Sequence, residues 1–246
     1  LNSTLFGVSV SAGTGNGHDI EFNNISDAGS GRPCIRIGAS DHGRVNNNTC
    51  SQAEMGIEIT STAVKNWTFI GNEISFSPIA TYTVILTRGA DHAFTNNSIE
   101  GAKEGFLLRD TNTSTFTDNT LTNNTYSYSF EYSNNNFFQD NLHEDFDYGI
   151  SMTNSTGIGG SNSNNFSGDE FRNWSINGIN ISQSNENRFV NVIFNDSANS
   201  VDGHSYSDAT NYFVNVTEID RSKLNVTTVG YLEYRWFVDV YVNNSE

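Results

Sequence analysis

The densest run of groups able to do chemistry is Asp140-Asn141-Leu142-His143-Glu144-Asp145-Phe146-Asp147-Tyr148. In an extended segment Asp145 and Asp147, two residues apart, share a face, with Glu144 and His143 beside them. Carboxylates that converge in this way, Asp140, Glu144, Asp145 and Asp147, can hold Ca²⁺ through oxygen ligands or serve as the acid and base of glycosidic cleavage. The same letters also describe an acidic turn in water. A second set lies upstream, where Asp41-His42 and Asp91-His92 recur with Arg36, Arg88 and Arg109 spaced among them. A lyase or hydrolase of acidic sugars requires a base, an acid and guanidinium groups along one face. Asp91, His92, Arg88 and Arg109 are therefore the candidates for proton transfer and charge neutralisation, unless they are simply solvated turn residues. Tyr82, Tyr126, Tyr128 and Tyr132 are available to stack on sugar rings. None of these forms a recognised catalytic set, and their separation in sequence demands a fold that gathers them.

That fold is written in a repeat. An apolar residue (Ile20, Val45, Phe69, Phe94, Phe116, Phe138) is followed three positions on by Asn (Asn23, Asn48, Asn72, Asn97, Asn119, Asn141). Two positions further stands Ile25, Cys50, Ile74, Ile99, Leu121 or His143. The period of roughly 22 to 25 residues belongs to solenoids. Between successive Asn positions come short alternating strands: Val8/Val10, Ile35/Ile37, Ile57/Ile59, Val84/Leu86, Phe106/Leu108, Tyr128/Phe130, Ile150/Met152, Ile179/Ile181 and a degenerate His204/Tyr206. Period-two runs this short are strands with one buried face, and no helical period is sustained. The expectation is an all-β, right-handed parallel β-helix of about nine coils over residues 1–217. Residues 218–246, with the alternating run from Tyr231 to Val242, form a C-terminal strand segment, a cap or the start of a following domain. Stacked coils place each Asn about 4.8 Å from the next, so the amides can satisfy one another and the turn backbone. The same register puts Asp118 beside Asp140, where the two carboxylates either share a cation or splay into solvent.

Composition limits the function classes. A formal charge of −16, from 28 acidic and 12 basic residues, argues against a nucleic-acid partner. No apolar run approaches the roughly 20 residues of a membrane span. Fifteen Asn-x-Ser/Thr triplets begin at Asn2, Asn24, Asn47, Asn66, Asn96, Asn112, Asn123, Asn154, Asn165, Asn173, Asn180, Asn195, Asn215, Asn225 and Asn243. They point to an exported chain carrying N-linked glycans on outward turns, although a chain this rich in Asn, Ser and Thr generates some by chance. Cys34 and Cys50 are the two cysteines. The column pattern sends Cys50 inward and Cys34 outward or to a turn, so a disulfide and two free thiols both stay open. They build no metal cluster.

By the Asn column, the Gly-Ile-x-Ile strands and the Ser/Asn-rich turns, the stretch from about Val8 to Val216 resembles the parallel β-helix repeat proteins, including the NosD-like and the carbohydrate-binding and sugar-hydrolase repeats. With its glycan acceptors and the Arg235-Trp236-Phe237 strand, the whole is similar to archaeal secreted cell-surface glycoproteins. The resemblance implies the fold and does not name a reaction. Copper delivery, associated with NosD, lacks soft ligands here: two Met, two Cys and five scattered His. The paired Asp motifs of polygalacturonases and the Asp-and-Arg calcium set of pectate lyases are not found. Two expectations follow. The first is an extracellular structural or adhesive module of a surface layer, sheath or filament, which self-associates or joins adjacent domains and carries no cofactor. The second is a lyase, hydrolase or binding module for acidic polysaccharide, with Ca²⁺ as the one ion the acidic run would suit.

Overall fold

The computed structural model describes residues 7–10, 17–26, 32–38, 40–51, 55–76, 85–153, 160–195, 204–207, 210–216, 224–226 and 231–235. They form a parallel β-solenoid whose coils each present three faces. The first face is a ten-stranded sheet running from His18–Glu21 through Gly43–Asn46, Trp67–Ile70, Ala93–Thr95, Thr115–Thr117, Phe137–Gln139, Asn165–Ser167, Arg188–Val190 and Thr210–Val214 to Tyr231–Arg235. The second face stacks Asn24–Ser26, Thr49–Ser51, Glu73–Ser75, Ser98–Glu100 and Thr120–Thr122. The third includes Pro33–Ile37, Met55–Ile59, Ile85–Ala90, Glu104–Asn112 and Tyr126–Glu131. Two long strands, Leu142–Thr153 and Glu170–Ser182, run from the second face through the corner into the third and join both in one sheet. The coils beginning at His18, Gly43, Trp67, Ala93, Thr115, Phe137, Asn165 and Arg188 carry all three faces among the described residues. That is eight complete coils where the repeat suggests about nine.

The anchor column is a file of buried rings. Phe69, Phe94, Phe116, Phe138, Phe166, Phe189 and Phe213 stack face to face with centroids 4.4 to 4.9 Å apart. Parallel in-register pairing puts identical residues one strand spacing apart, and aromatic pairs at this separation add about 0.5–1.5 kcal/mol beyond the burial of their area. At the turn after the first face the Asn file forms as expected. The backbone N–H and Nδ2 of Asn23, Asn48, Asn72, Asn97 and Asn119 each donate to Oδ1 of the Asn one coil on, at 2.9 to 3.0 Å. A second ladder at the turn before the first face runs from Ser114 through Asn136, Asn164 and Asn187 to Asn211.

Two local expectations change. Val84 lies outside the described residues, and in the strand that follows it the backbone of Ile85 pairs with Ile57 and Phe106, which puts Thr87, paired with Leu108, in the buried column. The uninterrupted apolar run hides the phase, and buried Thr87 is satisfied by the Thr111 hydroxyl at 2.7 Å. Cys34 is fully buried and bridged to Cys50, with Cα atoms 6.2 Å apart. It stands opposite Gly56, in the column that Gly105 and Gly149 also occupy at the start of the third face. That column faces the neighbouring coil's inward residue at the corner: a Cβ on Gly105 would stand 2.6 Å from Leu121. Cys34 and Cys50 occupy the equivalent pair of positions and fill them with a bond. In the C-terminal segment, Tyr231–Arg235 pairs parallel with Thr210–Val214. Leu224–Val226 pairs with His204–Ser207, so strand pairing continues past residue 217. Residues 236–246 lie outside the described residues.

Candidate functional site

The upstream set is dispersed by the fold. His92 is 1% exposed: its Nδ1 accepts the Trp67 backbone N–H at 3.3 Å, and its Nε2 donates to the Arg88 carbonyl at 2.9 Å. Burial lowers its pKa below the ordinary value, against the smaller raising effects of that bond, Asp91 and Asp41. This histidine is a neutral turn-builder, closed off from any substrate. The two Asp-His pairs are also out of phase. His42 and Asp91 share the outward left-handed position, with φ of 60° and 58°, while His92 falls one place further in. Asp41 accepts the Lys65 N–H at 2.8 Å, and Asp91 accepts the Thr113 hydroxyl at 2.7 Å. The guanidinium row is engaged as well: Arg36 pairs with Glu58 at 3.2 Å, Arg109 with Glu131, and Arg88 reaches the Thr60 carbonyl. The Glu131 hydrogen bond raises the Arg109 pKa further. Tyr128 is buried in the core, its hydroxyl pKa pushed well up by desolvation and then by Asp169.

The downstream run divides three ways. His143 is fully buried, stacked on Phe171 at 4.2 Å, and burial pushes its pKa down to about 3. Asp140 lies at the corner between the first and second faces, where its Oδ2 accepts from Gln139. Asp145 and Asp147 lie at the corner between the second and third faces, on either side of buried Phe146. The file of four is therefore split, and among the described residues no three His, Cys, Asp or Glu side chains gather to hold a metal ion.

The second corner is the candidate site. Gly101, Asn123, Asp145 and Asn173 occupy one left-handed position in successive coils, φ 54° to 77°, and the chain turns outward there. The result is a trough across four coils, with two hollows of about 410 and 380 Å³ joined at Asn123 and Thr125. Glu100 and Lys103 line one end, and Asp145, Asp147 and Ser175 line the other. The Ser175 hydroxyl donates to Asp147, Asn123 Nδ2 reaches Glu100 at 3.4 Å, and Lys103 pairs with Glu104 at 3.4 Å. On the third-face rim, Glu104, Tyr126 and Tyr148 stand in register, and the two tyrosine rings stack at 4.7 Å and 10°. Partial burial raises the Tyr126 pKa, followed by Tyr148, Glu104 and Asp147 acting through charge. Half-exposed rings that close on each other leave their edges and hydroxyls to a ligand, beside carboxylates that accept from hydroxyls, a combination that suits a sugar. Asp145, Asp147 and Tyr126 were among the candidates; Tyr148, Glu104 and Lys103 were not. Their signal is the 22-residue step from 104 to 126 to 148, the length of one coil.

Every acceptor asparagine whose side chain is described lies outside the core: Asn24, Asn47, Asn66, Asn96, Asn112, Asn123, Asn165, Asn173, Asn180, Asn195 and Asn215. Asn225 is described in its backbone alone; Asn2, Asn154 and Asn243, with Tyr82, lie outside the described residues. No helix among the described residues is long and apolar enough to cross a membrane.

Residues 7–159 match the family model described as the right-handed β-helix region, which is more than half of the chain. The protein belongs to that right-handed β-helix family. Among solved structures, a DFA-IIIase from Arthrobacter chlorophenolicus A6, without its lid, superposes with a TM-score of 0.70 at 14% identity, over 95% of this chain and 71% of that one. An alginate lyase from Paenibacillus sp. str. FPU-7 gives a TM-score of 0.46 at 11% identity, over 93% and 98%. A pectin methylesterase from Aspergillus niger gives 0.39 at 8%, over 95% and 76%. At 14% identity the likeness to the DFA-IIIase is one of fold. No curated protein matches the chain in sequence.

Proposed function

We propose that the protein is an extracellular β-helix that binds a polysaccharide segment laid along the second-corner trough. The observation that carries this reading is the Tyr126–Tyr148 stack of two consecutive coils, next in sequence to Thr125 and Asp147 of hollows whose linings include Glu100, Asp145 and Asp147. Coil spacing of about 4.8 Å repeats the same functional groups at short intervals, which suits a ligand that is itself a repeating chain. Cleavage is not assigned: His92 and His143 are sealed in turns and core, and Asp145 and Asp147, which line the trough, are given a binding role alone. Alanine at Tyr126 and Tyr148 together is expected to weaken oligosaccharide binding about tenfold by calorimetry, and to lower the thermal midpoint modestly, since the stacked pair itself contributes about 0.5–1.5 kcal/mol to the fold. Unchanged affinity in that variant would remove the trough as the site.

The second reading, a non-catalytic structural or adhesive module of a surface layer, rests on a different observation: the outward placement of the acceptor asparagines. The two readings diverge at Asn123 and Asn173, which line the trough. Glycans there would fill it and favour the scaffold.

A further inference from the structure

The trough is not electrically suited to the acidic sugars that the upstream arginines would have served. Its lining carries Glu100, Asp145 and Asp147 against Lys103. That lysine is held by Glu104, and Arg172, on the second-face row with Glu144, is held by Glu170 at 2.6 and 2.8 Å. The floor holds Asn124, 3% exposed and beside Asp145 and Asp147, whose Nδ2 has no hydrogen-bond partner; as a donor it suits a hydroxyl oxygen of the sugar, not its ammonium.

Resting on the glycan-binding reading, we propose that the trough selects chains bearing protonated amino groups, a de-N-acetylated hexosamine polymer being the simplest, over neutral chains, and rejects chains of uronic acids. An ammonium group on the sugar would sit among Asp145, Asp147 and the tyrosine rim, while a uronate would meet carboxylates without an uncommitted cation to receive it.

The test is calorimetric titration of the whole protein with hexamers of glucosamine, N-acetylglucosamine and galacturonic acid at 20 mM and 500 mM salt. The glucosamine hexamer is expected to bind about tenfold more tightly than its acetylated form at low salt. The advantage should shrink to about twofold at high salt, as half-exposed charge pairs are screened. A D145N/D147N variant, isosteric and checked for an unchanged melting curve, is expected to bind the glucosamine and the acetylated hexamers with affinities within about twofold of each other, the preference lost whatever the overall weakening. Equal affinity for the amine and the acetylated chain, or tighter binding of galacturonate, overturns the charge selection and leaves glycan binding standing. A preference that survives in D145N/D147N overturns the placement of the ammonium. Failure of all three hexamers to bind overturns the glycan reading itself.

Discussion

At Asp169 the amide ladder meets a carboxyl group. The Nδ2 of Asn48, Asn72, Asn97, Asn119 and Asn141 donates in turn to the carbonyls of Ile20, Val45, Phe69, Phe94 and Phe116. The next carbonyl in that series is Phe138's, and the next ladder residue is Asp169. Its Oδ1 accepts both Asn141 donors, while its buried Oδ2 has no partner. Protonated, the carboxyl supplies the missing donor; ionised, it sets an acceptor against an acceptor. Burial raises its pKa from 3.8 to about 7, partly offset by the Asn141 and Ser167 hydrogen bonds, with Asp140 adding to the rise. The folded state therefore binds a proton that the unfolded chain releases between about pH 4 and 7. The stabilising contribution is complete below pH 4 and lost as pH rises through 7. A rise of that size corresponds to something on the order of 4 kcal/mol. Asp169→Asn is accordingly expected to stabilise the protein at pH 8 and to have little effect at pH 4, measured by urea unfolding at both. Equal effects at the two pH values would show that the carboxyl is not the ladder's proton-dependent member.

Among elements, the corner pair Cys34–Cys50 and the phenylalanine file make the clearest demands. The bridge closes a loop with a sequence separation of 16, for which chain-entropy arguments give about 3 kcal/mol. Reduction should lower the urea midpoint by a corresponding amount, and a C34A/C50A variant should be insensitive to reductant. Phe116 touches Phe94 and Phe138 face to face and Phe106 edge-on. Phe116→Ala is expected to cost about 3–5 kcal/mol in the same assay. These columns were legible in the sequence because a stacked coil writes the same residue type every 22 to 25 positions. Legibility failed where the spelling changed without the geometry changing. The coil after Asn141 is 28 residues long and replaces Asn by Asp169, so the file of Phe166, Phe189 and Phe213 went unread. Asp91-His92 copies Asp41-His42 in letters but sits one place out of phase, which turns a catalytic reading into a buried turn. Tyr148, Glu104 and Lys103 escaped for the opposite reason: they are distant in sequence and adjacent across coils.

For the molecule as a whole, the two corners divide the work. Asn47, Asn96 and Asn215 stand at left-handed turns of the first corner, and Asn123 and Asn173 at those of the second, where the trough lies. In the glycan-binding account, native material analysed by glycopeptide mass spectrometry carries sugar at first-corner acceptors and leaves Asn123 and Asn173 unmodified. Modification of either trough asparagine would favour the scaffold reading. The charge of −16 keeps such a rod soluble and also works against acidic polymers over its whole length. The most direct measurement is a crystal structure of the protein soaked with a hexosamine oligomer. The account predicts sugar rings lying along the second corner, one against the edges of the Tyr126–Tyr148 stack and an amino group within hydrogen-bond reach of Asp145 or Asp147. Sugar bound on another face, with the trough open and empty, would contradict it.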